Sequence, residues 1–283
     1  MNTPSGKKTV NHVTGAARGA ASEAKNSKWF EYVARIGYVM TGLIHTMIGW
    51  ICLRLGLTGN SGESADQSGA IGAFADAPGG AALLFIGGVA MAALALTHLL
   101  DVFYGSGRRS KKKASAIIKA ISKAVMYAAL AYTSIQFALG DSSDSGDSAE
   151  SAAEPFLSSP TGKAIVIGVG VIIIIIVGIY HVYKGMSRKF HQDLIPSGDR
   201  QIGQLIDKTG LVGYVAKGIA LLGVGAMVMW AGFTADANKA RGLDAAFKEA
   251  LDLPGGGIAL AAIGIGFILY GIYSVMRAKY QEM

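Results

Sequence analysis

Cysteine is all but missing from this chain of 283 residues, where Cys52 stands alone. A single thiol excludes an internal disulfide and any metal site built from several cysteines, whichever compartment the loops face. A lone free cysteine reads as a small buried packing residue. Proline is nearly as scarce, with 6 in the chain, and none interrupts an apolar run. Charged residues make up 16%, against about 25% in soluble domains, and mean hydropathy is positive. Catalytic signatures are missing too: there is no His-Glu-x-x-His, no Gly-x-Ser-x-Gly elbow and no phosphate loop. The pairs Gly168-x-Gly170 and Gly223-x-Gly225 fall in the middle of apolar runs, where no nucleotide reaches. The expectation is a protein that is not an enzyme and carries no cofactor or metal. The first 27 residues lack the apolar core of a signal peptide, and their Gly, Ala, Ser and Lys content predicts a disordered tail that is not cleaved.

Apolar sequence is what the chain has in abundance. Six runs of about 20 or more mostly apolar residues lie at Ile36 to Leu57, Ala81 to Phe103, Ala120 to Leu139, Ala164 to Tyr183, Leu211 to Phe233 and Gly255 to Met276. Each is long enough to cross a hydrocarbon core of about 30 Å as a helix. They are too long and too uniform for barrel strands, which alternate over about 10 residues. Even Val171 to Val177, with five isoleucines in a row, reads as helix facing lipid or core, because the bilayer enforces internal backbone hydrogen bonding over β-propensity.

One unit recurs three times: an apolar span, a polar loop closing on a turn, a second apolar span and a basic exit. The turns are Pro78-Gly79-Gly80, Pro160-Thr161-Gly162 and Pro254-Gly255-Gly256. First spans align as well, Gly37-Tyr38 and Gly42 matching Gly213-Tyr214 and Gly218, with Ala124 and Ala129 at the glycine positions of the second unit. A unit with two spans returns the chain to the side it left, so the three share one orientation. The fold class expected is an all-α membrane protein of six transmembrane helices, built as three parallel-oriented helical hairpin repeats in a pseudo-threefold arrangement. Its segments are a disordered cytoplasmic tail at 1–28, a first hairpin at 29–105, a basic link and second hairpin at 106–186, and a basic link, third hairpin and short tail at 187–283. Glycine, at 39 residues, is nearly double its usual share of about 7%. Gly42, Gly49 and Gly56, Gly88 with Ala92, and Ala262 with Gly266 are spaced for close helix approach.

Charge sorts by side. The segments Lys7 to Arg35, Arg108 to Lys123 and Lys184 to Lys217, with Arg277 and Lys279, hold 21 of the 26 Lys and Arg, whereas the loops inside the hairpins hold 12 of the 19 acids. The positive-inside rule then puts both termini and the links in the cytoplasm and the three hairpin loops outside. The net charge of +7 is accordingly topological, not a nucleic-acid signature. The run Arg108-Arg109-Ser110-Lys111-Lys112-Lys113 would gain about 1 kcal/mol per basic residue from anionic lipid, or dock an acidic partner protein. Each outer loop also carries apolar residues at helical spacing: Ala70, Ile71 and Phe74; Ala152, Phe156 and Leu157; Leu243, Ala246, Phe247, Ala250 and Leu251. These predict small amphipathic helices at the outer interface, the third with Asp244, Lys248 and Glu249 on its solvent face. Asp141 to Glu150 reads as a solvated acidic loop without the ligand spacing of a calcium site.

The segments Arg35-Ile-Gly-Tyr38, Ile48-Gly-Trp50-Ile-Cys-Leu-Arg54, Ala65-Asp-Gln-Ser-Gly-Ala-Ile71, His181-Val-Tyr-Lys-Gly-Met-Ser-Arg-Lys-Phe190 and Tyr270-Gly-Ile-Tyr-Ser-Val-Met-Arg-Ala-Lys-Tyr280 together resemble bacterial membrane proteins of the domain-of-unknown-function family 1206. The resemblance runs from about Trp29 to Tyr280. It implies three two-helix repeats and a bacterial inner membrane, and brings no catalytic residue, cofactor or substrate.

Ionisable residues inside a span cost at least about 2.5 kcal/mol on insertion scales and are functional suspects. His45 lies nine residues past Ile36, about 13 Å deep. His98 and Asp101, at i and i+3, share a face about a turn from the end of the second span. His45, His98 and Asp101 form the candidate intramembrane polar site, a proton relay or ion-pair line. The competing reading has His45 making a neutral hydrogen bond across a helix interface, while His98, Asp101, His181, Lys123 and Lys217 snorkel to the headgroups. Haem between His45 and His98 is disfavoured by a depth mismatch of roughly 6 Å. Two functions follow: a non-catalytic membrane component binding a partner or lipid, and a small-solute or ion pathway along the pseudo-threefold axis.

Overall fold

The structure, a computed structural model, describes residues 28–60, 62–104, 110–141 and 144–281, and leaves aside the side chains of 29–31, 34, 100–104, 110–116, 118–119, 145 and 193. The N-terminal tail and the run Arg108 to Lys113 thus lie outside the described residues or side chains. Helix is the regular structure throughout the described residues, joined by one isolated bridge between Leu194 and Gln281. The long helices are α1 (Lys28–Thr58), α3 (Gly80–Tyr104), α4 (Ser110–Ala138), α6 (Pro160–Ile172), which runs through a π-helix at Ile173–Ile179 into α7 (Tyr180–Met186), α8 (Arg200–Thr234) and α10 (Gly256–Tyr280). Short helices α2 (Gln67–Ala75), α5 (Ser145–Leu157) and α9 (Leu243–Leu251) occupy the three hairpin loops. Among the described residues, five stretches are long and apolar enough to cross a membrane: Arg35–Thr58, Gly80–Leu99, Pro160–Met186, Arg200–Thr234 and Gly256–Tyr280. The sixth expected span, Ala120 to Leu139, lies in α4 as far as Ala138; it is not one of these, and side chains in the first part of α4 lie outside those described.

The chain divides into two compact units. One contains residues up to Gly37 together with Phe85–Ile135. In it, a Cβ at Gly88 would come within 2.7 Å of Ile135 Cγ1, and one at Gly37 within 2.4 Å of Leu94 Cδ1, so these glycines let their helices close.

The other unit, Tyr38–Leu84 with Gln136–Glu282, is held by two antiparallel glycine zippers. Along α1 and α10 the pairs are Gly42 with Gly271, Gly49 with Gly264 and Gly56 with Gly257; a Cβ at Gly49 would sit 2.6 Å from Gly264 O, and one at Gly264 2.7 Å from Gly49 O. Backbones approach so closely because both faces repeat glycine every seven residues, about two turns. Gly266, grouped by sequence with Ala262, instead faces α8, its Cβ position 2.1 Å from Ala216 Cβ.

The second zipper pairs α6 to α7 with α8. Gly232 lies on Lys163 O, Gly225 opposes Gly170, Gly218 opposes Gly178, and Gly185 lies on Leu211 O. On α8 these positions advance by sevens, but on the facing strand of helix the step from Gly170 to Gly178 is eight. A π-turn absorbs one extra residue, and the π-helix Ile173–Ile179 falls in that step. It keeps the two zipper faces in register. Ile172, Ile175, Ile176 and Ile179 around it are exposed, which suits the lipid-facing reading of this stretch; sequence reasoning missed the π geometry.

The hairpin turns share one close contact. A Cβ at Gly80, Gly162 or Gly256 would lie 1.8 to 1.9 Å from the carbonyl oxygen of Phe74, Phe156 or Ala250 respectively, so glycine is required there in all three copies. Gly79 and Gly255 have φ of 77° and 78°, open to glycine at little cost. Thr161 replaces them in the second copy, and there the chain enters helix two residues sooner, with Pro160 in the first turn and Ser159 capping Gly162 N–H.

The loop helices form as expected but are packed more firmly than an interfacial reading implies. Ala70, Ile71, Ala246 and Phe247 are buried. Asp244 is not on a solvent face: it is 8% exposed, and its Oδ1 accepts Ala65 N–H at 2.9 Å. Nor is the middle loop simply solvated, since Arg241 gathers Asp147 at 2.5 Å and Glu150 at 3.3 Å. At the opposite end, α8 runs 35 residues, about 52 Å at 1.5 Å per residue, so part of it extends beyond a 30 Å core. Phe190, fully buried, packs there with Ile206, Tyr214, Tyr270 and Tyr273, and Ile195 N–H donates to Tyr280 O at 2.7 Å.

Candidate functional site

His45 sits on α1, one turn beyond Thr41. Its Nδ1 lies 2.7 Å from Thr41 O; a carbonyl can only accept, so Nδ1 carries the proton and Nε2 presents a lone pair. Lys217 Nζ, from α8, donates to that Nε2 at 2.8 Å. The competing expectation for Lys217, snorkelling toward headgroups, is therefore corrected: its ammonium is turned inward onto a neutral histidine. It also lies 4.5 Å from the ring centroid of Tyr270, whose ring is 4.8 Å from that of His45. A lysine within a span costs about 2.5 to 3.5 kcal/mol on insertion scales. One charged hydrogen bond, worth about 1.5 to 3, and a cation–π contact of about 0.5 to 2 are of the size needed to offset it.

More cations and tyrosines surround this pair. His181 Nδ1 donates to Val177 O at 2.6 Å, inside the π-helix, and its ring is 6.0 Å from Tyr214. Lys184 lies 5.2 Å over Tyr214. Arg277 lies 4.8 Å over Tyr38, and its Nε donates to Gln281 Oε1 at 2.5 Å. Tyr270, stacked edge to face on Tyr214 at 5.2 Å, is within electrostatic reach of Lys217, Arg277 and Lys184 together. Among the described residues, no carboxylate pairs with Lys217 or Arg277.

Of the expected trio, His45 belongs to this cluster. His98 lies in the other compact unit, stacked on Tyr127 at 5.6 Å. Asp101 is in α3, its side chain outside those described. Lys217 and Tyr270 went unrecognised in the sequence as partners of His45, and Arg277 as the cation over Tyr38. The available signal was Lys217 itself, six residues into the apolar run that begins at Leu211, and the spacing Tyr270, Tyr273, Arg277, which puts all three on one side of a helix.

Apolar spans, five of them among the described residues, repeated turns with one glycine contact and an inward cation–aromatic cluster define a multi-pass helical membrane protein built by repetition. The chain belongs to the family described as Domain of Unknown Function (DUF1206), whose profile matches it three times, at residues 36–105, 118–188 and 212–281. It is similar to the uncharacterized protein YxxB of Bacillus subtilis (strain 168), 27% identical over 263 residues that cover 90% of this chain and 92% of that protein. No solved structure matches.

Proposed function

We propose that the protein is a non-catalytic component of a bacterial inner membrane, crossing it six times as three hairpins about a pseudo-threefold axis. On this reading its basic end faces the cytoplasm and binds anionic lipid. The observation that carries it is the polarity of the larger unit. Where α7 ends, α8 begins and α10 ends, Arg188, Lys189, Arg200, Lys208 and Lys279 collect beside the inward cluster, while the loop helices at the other end carry acids gathered on Arg241. Basic residues beside a span gain about 1 kcal/mol each from an anionic leaflet, enough to fix orientation and to enrich that lipid. α4 serves as the sixth span, with Lys123 near its N-terminal end within reach of the headgroups. An acidic protein docked on the same end is the variant of this reading in which a partner takes the lipid's place.

A solute or ion pathway is the second reading, and the Lys217–His45 pair inside the span favours it. The two separate in one experiment. The protein is crosslinked and affinity-purified from its native membrane with its lipids analysed, and reconstituted in liposomes for flux measurements as wild type and His45→Ala. Enrichment of anionic lipid or one stoichiometric partner, with no flux, is expected. Flux that His45→Ala abolishes would overturn the assignment in favour of a pathway.

A further inference from the structure

Three cationic side chains meet the tyrosine cluster from three helices: Lys184 on α7, Lys217 on α8 and Arg277 on α10. His45 adds no charge, because its proton is held by Thr41 O and its lone pair by Lys217. Tyrosine faces attract cations but do not neutralise them. Like charges drawn together in a poorly solvated place are costly unless an opposite charge joins them. Lys217 has three N–H donors, and among the described residues His45 Nε2 is the one acceptor they meet. Arg277 spends its Nε on Gln281, leaving the two terminal amino groups of its fork, the part suited to a two-oxygen acceptor. Both side chains are half-buried and so not sealed from a ligand; Lys217 lies over Tyr270 and Arg277 over Tyr38, and both are within electrostatic reach of Tyr270.

We propose that Lys217 and Arg277, with His45 and Tyr270 as supports, form a site for a phosphate-type oxyanion. Lys217 supplies the point charge and the hydrogen bonds, Arg277 the second cation, and His45 holds the ammonium in place without competing for the anion. The phosphate comes either from a lipid headgroup reaching down from the basic end or from a free anion. This rests on the basic end being a binding face for anions, but it places one anion on a named set of side chains instead of on the basic links.

The test is thermal unfolding of the full-length protein in neutral detergent, followed by tryptophan fluorescence. Mixed micelles of phosphatidylglycerol or phosphatidylcholine are compared, and sodium phosphate is compared with sodium chloride of equal ionic strength. A rise in midpoint with phosphatidylglycerol but not with phosphate assigns a lipid headgroup; a rise with phosphate alone assigns a free anion. In either case Lys217→Met should weaken the apparent affinity about tenfold or more, the size of one charged hydrogen bond, and Lys217→Arg should keep most of it. Should Lys217→Met not fold, the wild-type titrations and Lys217→Arg still decide. A control chain with Lys111→Gln, Lys112→Gln and Lys113→Gln separates this site from the basic links. If the rise survives there, the pocket stands on its own. If the rise is lost there and kept in Lys217→Met, the pocket is overturned while lipid binding at the links remains. No rise with either ligand overturns the site outright.

Discussion

Lys217 Nζ donates to His45 Nε2 across 2.8 Å, joining α8 to α1 in the interior of the larger unit. The bond has a direction because Thr41 O takes the proton on the other ring nitrogen. The pair therefore couples the first and third repeats through one hydrogen bond, beside a glycine zipper that couples the third repeat's last helix to the same α1. Packing brings the helices close, and the polar pair then meets Tyr270 on the zipper's other helix.

The zipper contacts are backbone against backbone, so they give no room for a side chain. Gly49→Val should destabilise the protein by more than about 2 kcal/mol, since its branches would press on Gly264 O and Ile268 N, each under 3 Å from the Cβ position. Gly168→Val is the matched control: nothing lies within 4 Å of its Cβ position, and its expected change is within about 0.5 kcal/mol. Equilibrium unfolding in detergent measures both.

The extra residue between Gly170 and Gly178 makes an unusual prediction. Deleting Ile175, an exposed residue of the π-helix, should convert that stretch to α-helix and leave the zipper pairs in register. The deletion variant is expected to keep the wild-type midpoint within a few degrees. Deleting Val169, outside the π-helix and beside Gly170, removes the residue that separates Lys163 from Gly170 in the heptad frame and should lower the midpoint clearly. Equal losses from both deletions would show that the π-turn does not act as the register device.

Asp66 caps α2 from a buried position, accepting Gly69 N–H at 3.0 Å and the Ser68 hydroxyl at 2.8 Å. Burial pushes its carboxyl up from the ordinary 3.8, with those two hydrogen bonds pulling the other way and Asp144 and Asp244 adding to the rise. The folded state therefore holds this proton more tightly than the unfolded chain. Its contribution is fully present below 3.8 and is lost as pH rises through the raised value. Asp66→Asn keeps a good capping acceptor and should flatten stability against pH between 3.8 and that raised value, read from midpoints measured across the acid range.

How legible this was depends on the kind of information each feature needed. The spans, the three loop helices and the turn glycines come from composition and period, and Gly80, Gly162 and Gly256 could be aligned by eye before their shared carbonyl contact was known. The π-turn left no mark in a run of isoleucines; it emerges only when the glycine steps on two facing helices are compared. Lys217 was misread because linear depth near a span end permits either snorkelling or turning inward, and only the helix face decides. Asp244 was misread similarly, since an amphipathic wheel does not show that a backbone N–H from another repeat awaits its carboxylate.

The most direct measurement of this account is a double-mutant cycle on His45 and Lys217, using His45→Leu, Lys217→Met and both together, by equilibrium unfolding in detergent. His45→Leu alone strands the ammonium and should cost about 1.5 to 3 kcal/mol, while the double variant should recover much of that loss, giving a coupling of at least about 1 kcal/mol. Coupling indistinguishable from zero, with the two single losses simply adding, would contradict the inward pair on which the site depends.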